Sequence, residues 1–196
     1  LGSTYAFVVP KDLLYVVPKG EIVERVSSLS EVESARVTRA GTTLTVTVTE
    51  RTPAARYCVT QCFRMDEYGF IFDTVHDDTE TVYRGGQLGV GGTYLEGRFH
   101  DLYKTVLELE RAVGAHAAEV VVDNADDVFV HFDGQGEVRF TLDTPGQKLV
   151  TDVGAVMASA RMAESTTFEY IDLRFGTKAA VKLKILRGSE AWQEAQ

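Results

Sequence analysis

Two cysteines stand close together in Cys58-Val-Thr-Gln-Cys62, and the chain has no others. A structural zinc site takes four ligands, so this pair would need a second pair of Cys or His at ligand spacing. The four histidines, His76, His100, His116 and His131, are scattered and supply none. That leaves a disulfide and two reduced thiols both open, and the disulfide would require an oxidising compartment. The run Gly85-Gly-Gln-Leu-Gly-Val-Gly-Gly92 raises the question of phosphate binding. Such a cradle needs a strand before it and a helix N-terminus directly after it, with amides converging on the anion. Here the next helical pattern begins several residues later, so the run reads as a loop. Asp123, Asp126 and Asp127 lack the alternating acids, central glycine and distal glutamate of a calcium loop, and read instead as an Asx-type turn between strands. His76, Asp77 and Asp78 sit in a polar, glycine-rich stretch and read as solvated loop. No serine has a nucleophile-elbow context, and neither cysteine falls in a catalytic Cys–His frame. The residues therefore predict a protein that is not an enzyme and holds no cofactor and no metal.

The chain has 196 residues, 44% hydrophobic and 25% charged, an ordinary globular composition with material for a core. Its formal charge of −9 would repel a phosphate backbone, which argues against a nucleic-acid partner. No run of about eighteen apolar residues is present, and no basic region leads into an apolar one as in a signal peptide. The chain opens at Leu1 without a methionine, so a missing front end is expected.

The elements that must position these groups follow from periodicity. Gly20–Leu29 predicts a helix with Ile22, Val26 and Leu29 on one face. Val32–Arg39 alternates, with Ala35 and Val37 pointing one way, and Thr43–Glu50 alternates so as to bury Leu44, Val46 and Val48. Ala55–Cys58 and Cys62–Met65 read as hairpin arms, and Phe70–Phe72 as a further strand. The span from His76 to Gly92 reads as a loop or a weak edge strand. Phe99–Val113 carries Leu102, Val106, Leu109 and Val113 in a helical stripe. Strands at Glu119–Val122, Val128–Phe132 and Glu137–Leu142 precede a third helix with Thr144 as N-cap and Pro145 at its first position, turning Leu149, Val153, Val156, Met157 and Ala160 inward. Two strands, Phe168–Phe175 and Lys178–Ile185, close the pattern. On the last, Lys178, Ala180, Lys182 and Lys184 share one face, opposite Ala179, Val181, Leu183 and Ile185. Lysines so placed read first as solvation and protection of a sheet edge; the sharper reading is an edge that accepts a partner strand. Phe175 reads either as an aromatic anchor at the turn or, by parity with Ile171 and Leu173, as core.

Three stretches carry a family resemblance. Val32-Glu-Ser-Ala-Arg-Val-Thr-Arg39, followed by Leu44-Thr-Val-Thr-Val-Thr-Glu-Arg51-Thr-Pro53-Ala54, resembles the end of the POTRA domain in the FtsQ/DivIB family of bacterial cell-division proteins. That family shows V-x-x-A-x-V-x-R, a turn, then L-x-V-x-V-x-E-R-x-P-x-A. Asp66-Glu-Tyr-Gly-Phe-Ile-Phe72 is similar to its D-x-x-G-x-x-F segment, and Tyr170-Ile-Asp-Leu-Arg-Phe175 with Ala179-Ala-Val181 to its closing Y-I-D-L-R-Y hairpin. The motifs span residues 18 to 186. Ala40-Gly41 stands where the family usually has Trp-Pro, Leu1–Val17 shows no clear counterpart of the first POTRA strand and helix, and the cysteine pair is not part of the family pattern.

The resemblance implies an α+β chain: a partial POTRA domain over residues 1–52, incomplete at its N-terminus, then a mostly antiparallel β-domain with two packed helices over 53–187, and a polar tail over 188–196. It implies a non-catalytic divisome scaffold at the division site, on the extracytoplasmic face of the inner membrane, anchored through a membrane segment absent from this chain. It implies FtsB- and FtsL-like partners, bound by strand addition at Arg174, Phe175, Gly176, Lys178, Ala179, Ala180, Val181 and Lys182. A POTRA-containing secretion or outer-membrane assembly component is the alternative.

Overall fold

The computed structural model describes residues 3–8, 18–41, 43–74, 80–123, 125–159, 167–176 and 178–184. The fold is α+β, with three helices among the described residues and strands that are mostly antiparallel. No described helix is long and apolar enough to cross a membrane. The chain divides into two compact units, Leu1–Asp78 with Leu88–Gly97, and Thr79–Gln87 with Arg98–Gln196. The boundary expected after residue 52 lies inside the first of them.

In the first unit, strand β1 (Ser3–Val8), helix α1 (Lys19–Ser27), strand β2 (Val32–Ala40) and strand β3 (Thr43–Glu50) form an α/β module. The sheet order is β1-β3-β2, antiparallel throughout. The unbroken Thr-x-Thr alternation of β3 suits a central strand: Leu44 and Val46 turn into the core while Thr43, Thr47 and Thr49 stay exposed. The expected helix starts and ends slightly earlier than its sequence pattern. Its apolar stripe is only half-buried at Ile22 and Val26, and Leu29, beyond the helix end, is 54% exposed. Strand β1 corrects the reading that Leu1–Val17 holds no first strand. Ser3–Val8 pairs with β3 from Ser3↔Val48 to Val8↔Thr43, a long-range partnership that its own residues do not announce.

The same unit continues as a meander of β4 (Ala55–Cys58), β5 (Cys62–Met65) and β6 (Ile71–Thr74). Tyr57, Met65 and Ile71 are almost wholly buried, and the rings of Tyr57 and Tyr94 meet at 5.1 Å.

The second unit holds β7 (Val82–Arg84), α2 (Phe99–Val113), β8 (Ala117–Val122), β9 (Asp127–Phe132), β10 (Glu137–Thr141), α3 (Gly146–Met157), β11 (Phe168–Phe175) and β12 (Lys178–Leu183). Its strands follow the order β12-β11-β10-β9-β8-β7. Two pairs are parallel, β7 with β8 and β10 with β11, because each is joined through a helix that returns the chain to the same end of the sheet. The stretch read as loop or weak edge strand thus contributes a short parallel strand, with Tyr83 fully buried.

The helical stripe of α2 is realised in full, since Phe99, Leu102, Val106, Leu109 and Val113 are all buried. Burying each such side chain contributes about 1.5–3 kcal/mol. Gly114 ends α2 in the left-handed conformation (φ 76°), where its N–H donates to the Glu110 carbonyl. Helix α3 packs along α2 and buries Leu149 and Val153. Its start corrects the expected cap: Pro145, not Thr144, occupies the N-cap position, and the Thr144 hydroxyl pairs with that of Thr141 at 2.8 Å. Ala160, expected to point inward, and Ile185, expected opposite the lysines of the last strand, lie outside the described residues.

Candidate functional site: the terminal sheet edge

Strand β11 is rich in aromatic and β-branched residues, as a strand with neighbours on both sides requires. It pairs in parallel with β10 through Glu137↔Tyr170, Val138↔Ile171 and Arg139↔Asp172, and antiparallel with β12 on its other side. Phe168, Ile171, Asp172 and Leu173 are buried. Strand β12 ends the sheet order, so among the described residues its outer side has no strand neighbour. That side presents a row of backbone N–H and C=O groups, the chemistry that accepts another strand.

Both faces of this edge strand are open. Lys178, Ala179, Ala180, Val181 and Lys182 are all exposed, and only Leu183 is half-buried. Val181 stands opposite buried Ile171, yet 40% of its surface is open. The apolar side of β12, carrying Ala179, Val181 and Leu183, is therefore largely uncovered among the described residues. Phe175, for which parity left two readings, is 64% exposed. The register shift between Asp172 and Phe175 explains it, because a bulge there breaks the alternation that would have turned the ring inward. Phe175 faces Lys178 across the hairpin, and Gly176 between them adopts φ 72°, as the turn demands. The turn is tied to α3 by Lys148, whose ammonium donates to the Gly176 carbonyl at 3.2 Å and to Asp152 at 2.6 Å.

Two of the expected contact residues are engaged within the chain. Lys182 donates to Glu169 at 2.7 Å, and this bond holds its ammonium above the ordinary lysine range. Arg174 donates to both carboxylate oxygens of Asp172, from Nε at 3.0 Å and from Nη2 at 2.7 Å, and its Nη1 reaches Asp127 on β9. The same guanidinium lies over the ring of Phe129. These bonds hold Asp172 below the usual carboxylate range and push Arg174 upward. Arg174 thus braces β11 against β9, while Phe175 and Lys178 to Val181 form the open part of the edge. Sequence reading missed Asp172 and Asp127 as its partners. The spacing of Asp172 and Arg174, two apart on one strand, carries that signal for the first of them.

The other groups read from the sequence are placed elsewhere. Cys58 and Cys62 face each other as the last pair of the β4–β5 hairpin and are joined by a disulfide. Asp123 accepts from the N–H groups of Ala125 (2.8 Å) and Asp127 (3.0 Å), the Asx-type turn expected there. Asp126 takes the positive φ of that turn and accepts from Arg98. In the glycine run, Gly91 donates to the Ile71 carbonyl and Ile71 donates to that of Gly92, so this part of the loop is fastened to β6. His76, Asp77 and Asp78 lie outside the described residues. Among the described residues no three His, Cys, Asp or Glu side chains gather as a metal site requires. An open groove of about 440 Å³ lies between α2 and the start of α3, floored by Leu102, Phe140 and Leu149. The chain matches no protein-family model and no curated protein.

Proposed function

We propose that this chain is a non-catalytic scaffold of the FtsQ/DivIB type that binds an FtsB- or FtsL-like partner by strand addition at β12. In this reading residues 1–52 are POTRA-like, residues 53–187 are the partner-binding β-domain, and the protein works in septum assembly. Its place is the extracytoplasmic face of the inner membrane at the division site. The observation that carries the reading is the edge itself: β12 is the terminal strand, exposed from Lys178 to Lys182, with Phe175 and Val181 uncovered beside it. A strand laid there would satisfy free amides and carbonyls at about 1 kcal/mol net per bond. Phe175 and Val181 would supply apolar contact, and the lysines would favour an acidic strand. The Cys58–Cys62 bond supports an oxidising compartment.

Titration with an FtsB-type segment tests this. Successive amides along β12 point alternately toward β11 and outward, so Ala179→Pro and Ala180→Pro block different sides. The variant with the outward proline should melt like the parent and lose binding. Phe175→Ala should weaken binding by about 2 kcal/mol. Parent affinity in the folded proline variant and in Phe175→Ala would remove this edge as the partner site.

A further inference from the structure

Arg51 follows the last residue of β3 and touches two parts of the first unit that otherwise share little. Its backbone N–H donates to the Glu31 carbonyl at 2.8 Å, and its Nε to the Ser30 carbonyl at 3.1 Å. Both acceptors lie in the turn between α1 and β2. Its Nη1 reaches the other way, to Asp66 Oδ2 at 2.7 Å in the turn between β5 and β6. The guanidinium also lies 4.0 Å from the centroid of the Phe70 ring, at the far side of that turn.

Asp66 is built to receive it. The residue is 6% exposed, and its other oxygen, Oδ1, accepts from the N–H groups of Tyr68 (2.9 Å) and Phe70 (3.0 Å). Its own N–H donates to the Phe70 carbonyl. The turn's own backbone donors thus hold the carboxylate in place independently of Arg51. A planar guanidinium can serve two acceptors and a ring at once, which a lysine ammonium cannot do in the same geometry.

Among the described residues no element of the α1–β3 module packs extensively on β4, β5 or β6. The covalent connection is the short Thr52-Pro53-Ala54 segment, with the Ala54 N–H donating to the Met65 carbonyl. Packing therefore does little to set the angle between module and meander, and directional bonds must.

We infer that Arg51 is a clamp that fixes the orientation of the α1–β3 module on the β4–β6 meander, so that releasing it from Asp66 frees the module to swing as an intact body about residues 52–54. This holds whether or not the edge at β12 is a partner site. In the proposed scaffold it would set where the α1–β3 module points relative to the β4–β6 meander.

Residual dipolar couplings of backbone amides in the full chain test it, in the parent, in Arg51→Met and in Asp66→Asn. Arg51→Met keeps the aliphatic stem and removes every guanidinium bond, while Asp66→Asn keeps an acceptor for the turn amides and removes the charge. In the parent, amides of β2–β3 and β4–β6 should fit one alignment tensor. In Arg51→Met the common fit should be lost, with each set still fitting its own tensor and keeping its chemical-shift dispersion. Asp66→Asn should move the same way to a smaller extent. One tensor fitting both sets in Arg51→Met would overturn the clamp. So would collapse of the β2–β3 signals in both variants, because Arg51 would then hold a module together and not join two.

Discussion

Arg174 and Asp172, two residues apart on β11, form a two-pronged ion pair in which each carboxylate oxygen accepts a guanidinium N–H. Asp172 is 4% exposed and its carboxylate sits below the usual range, chiefly because of those bonds. A carboxylate whose pKa is depressed in the folded state stabilises that state above its unfolded value, about 3.9, and loses the contribution as pH falls through the folded one. Asp172→Asn should therefore cost about 2 kcal/mol at neutral pH, since Arg174 remains part-buried with one carboxylate partner. The gap from the parent should narrow as pH drops below about 4. Denaturant melts across pH measure this. A gap that stays constant down to low pH would show that the ion pair does not contribute.

Gly136, immediately before β10, lies against the start of β11. A Cβ there would come within 2.3 Å of the Glu169 carbonyl oxygen and 2.4 Å of that of Phe168. Backbone oxygens cannot swing aside as a long side chain can, so Gly136→Ala must push the two strands apart. A loss of about 2–4 kcal/mol in thermal or chemical denaturation is expected, in the range of other backbone and overpacking defects. Gly134, two residues earlier, has open space around it, and the loss for Gly134→Ala should come only from its positive φ of 69°.

Reduction of the Cys58–Cys62 bond should leave the fold in place. The bond spans a loop of three residues in a hairpin whose strands already pair from Ala55↔Met65 to Cys58↔Cys62. Chain-entropy arguments give a ring this small about 2 kcal/mol at most. Melting temperature with and without reductant, with intact mass to follow the bond, should show a modest decrease in a single cooperative transition. Unfolding of the meander on reduction would mean that the bond is a main support of the first unit.

Two phenylalanines of the second unit should behave oppositely when truncated. Phe140 is 2% exposed, and Phe140→Ala should cost about 3–5 kcal/mol through lost burial and the cavity left behind. Phe175 is 64% exposed, and Phe175→Ala should shift stability by no more than about 0.5 kcal/mol. Equal losses would place Phe175 in the core, and its proposed role at the edge would fall with that result.

Taken alone, the residues of α2, β3, β11 and β12 declared what each segment would be. The stripe from Leu102 to Val113 and the threonine alternation of β3 are local patterns, and a chain's local periodicity decides which face of an element is apolar. The Asx-type turn at Asp123 and the hairpin at Cys58–Cys62 were legible for the same reason, being built from neighbours in sequence. What tertiary structure decided lies between residues far apart. Arg174 finds Asp127 across 47 residues, a partnership that no local pattern encodes. Strand β1 is a strand because β3 offers it an edge, from Ser3↔Val48 to Val8↔Thr43. The exposure of Phe175 and Val181 was also beyond a period of two, since a bulge and the end of a sheet break the rule that alternate residues are buried. Propensity acts over a few residues, whereas register, edges and long-range ion pairs depend on which elements meet.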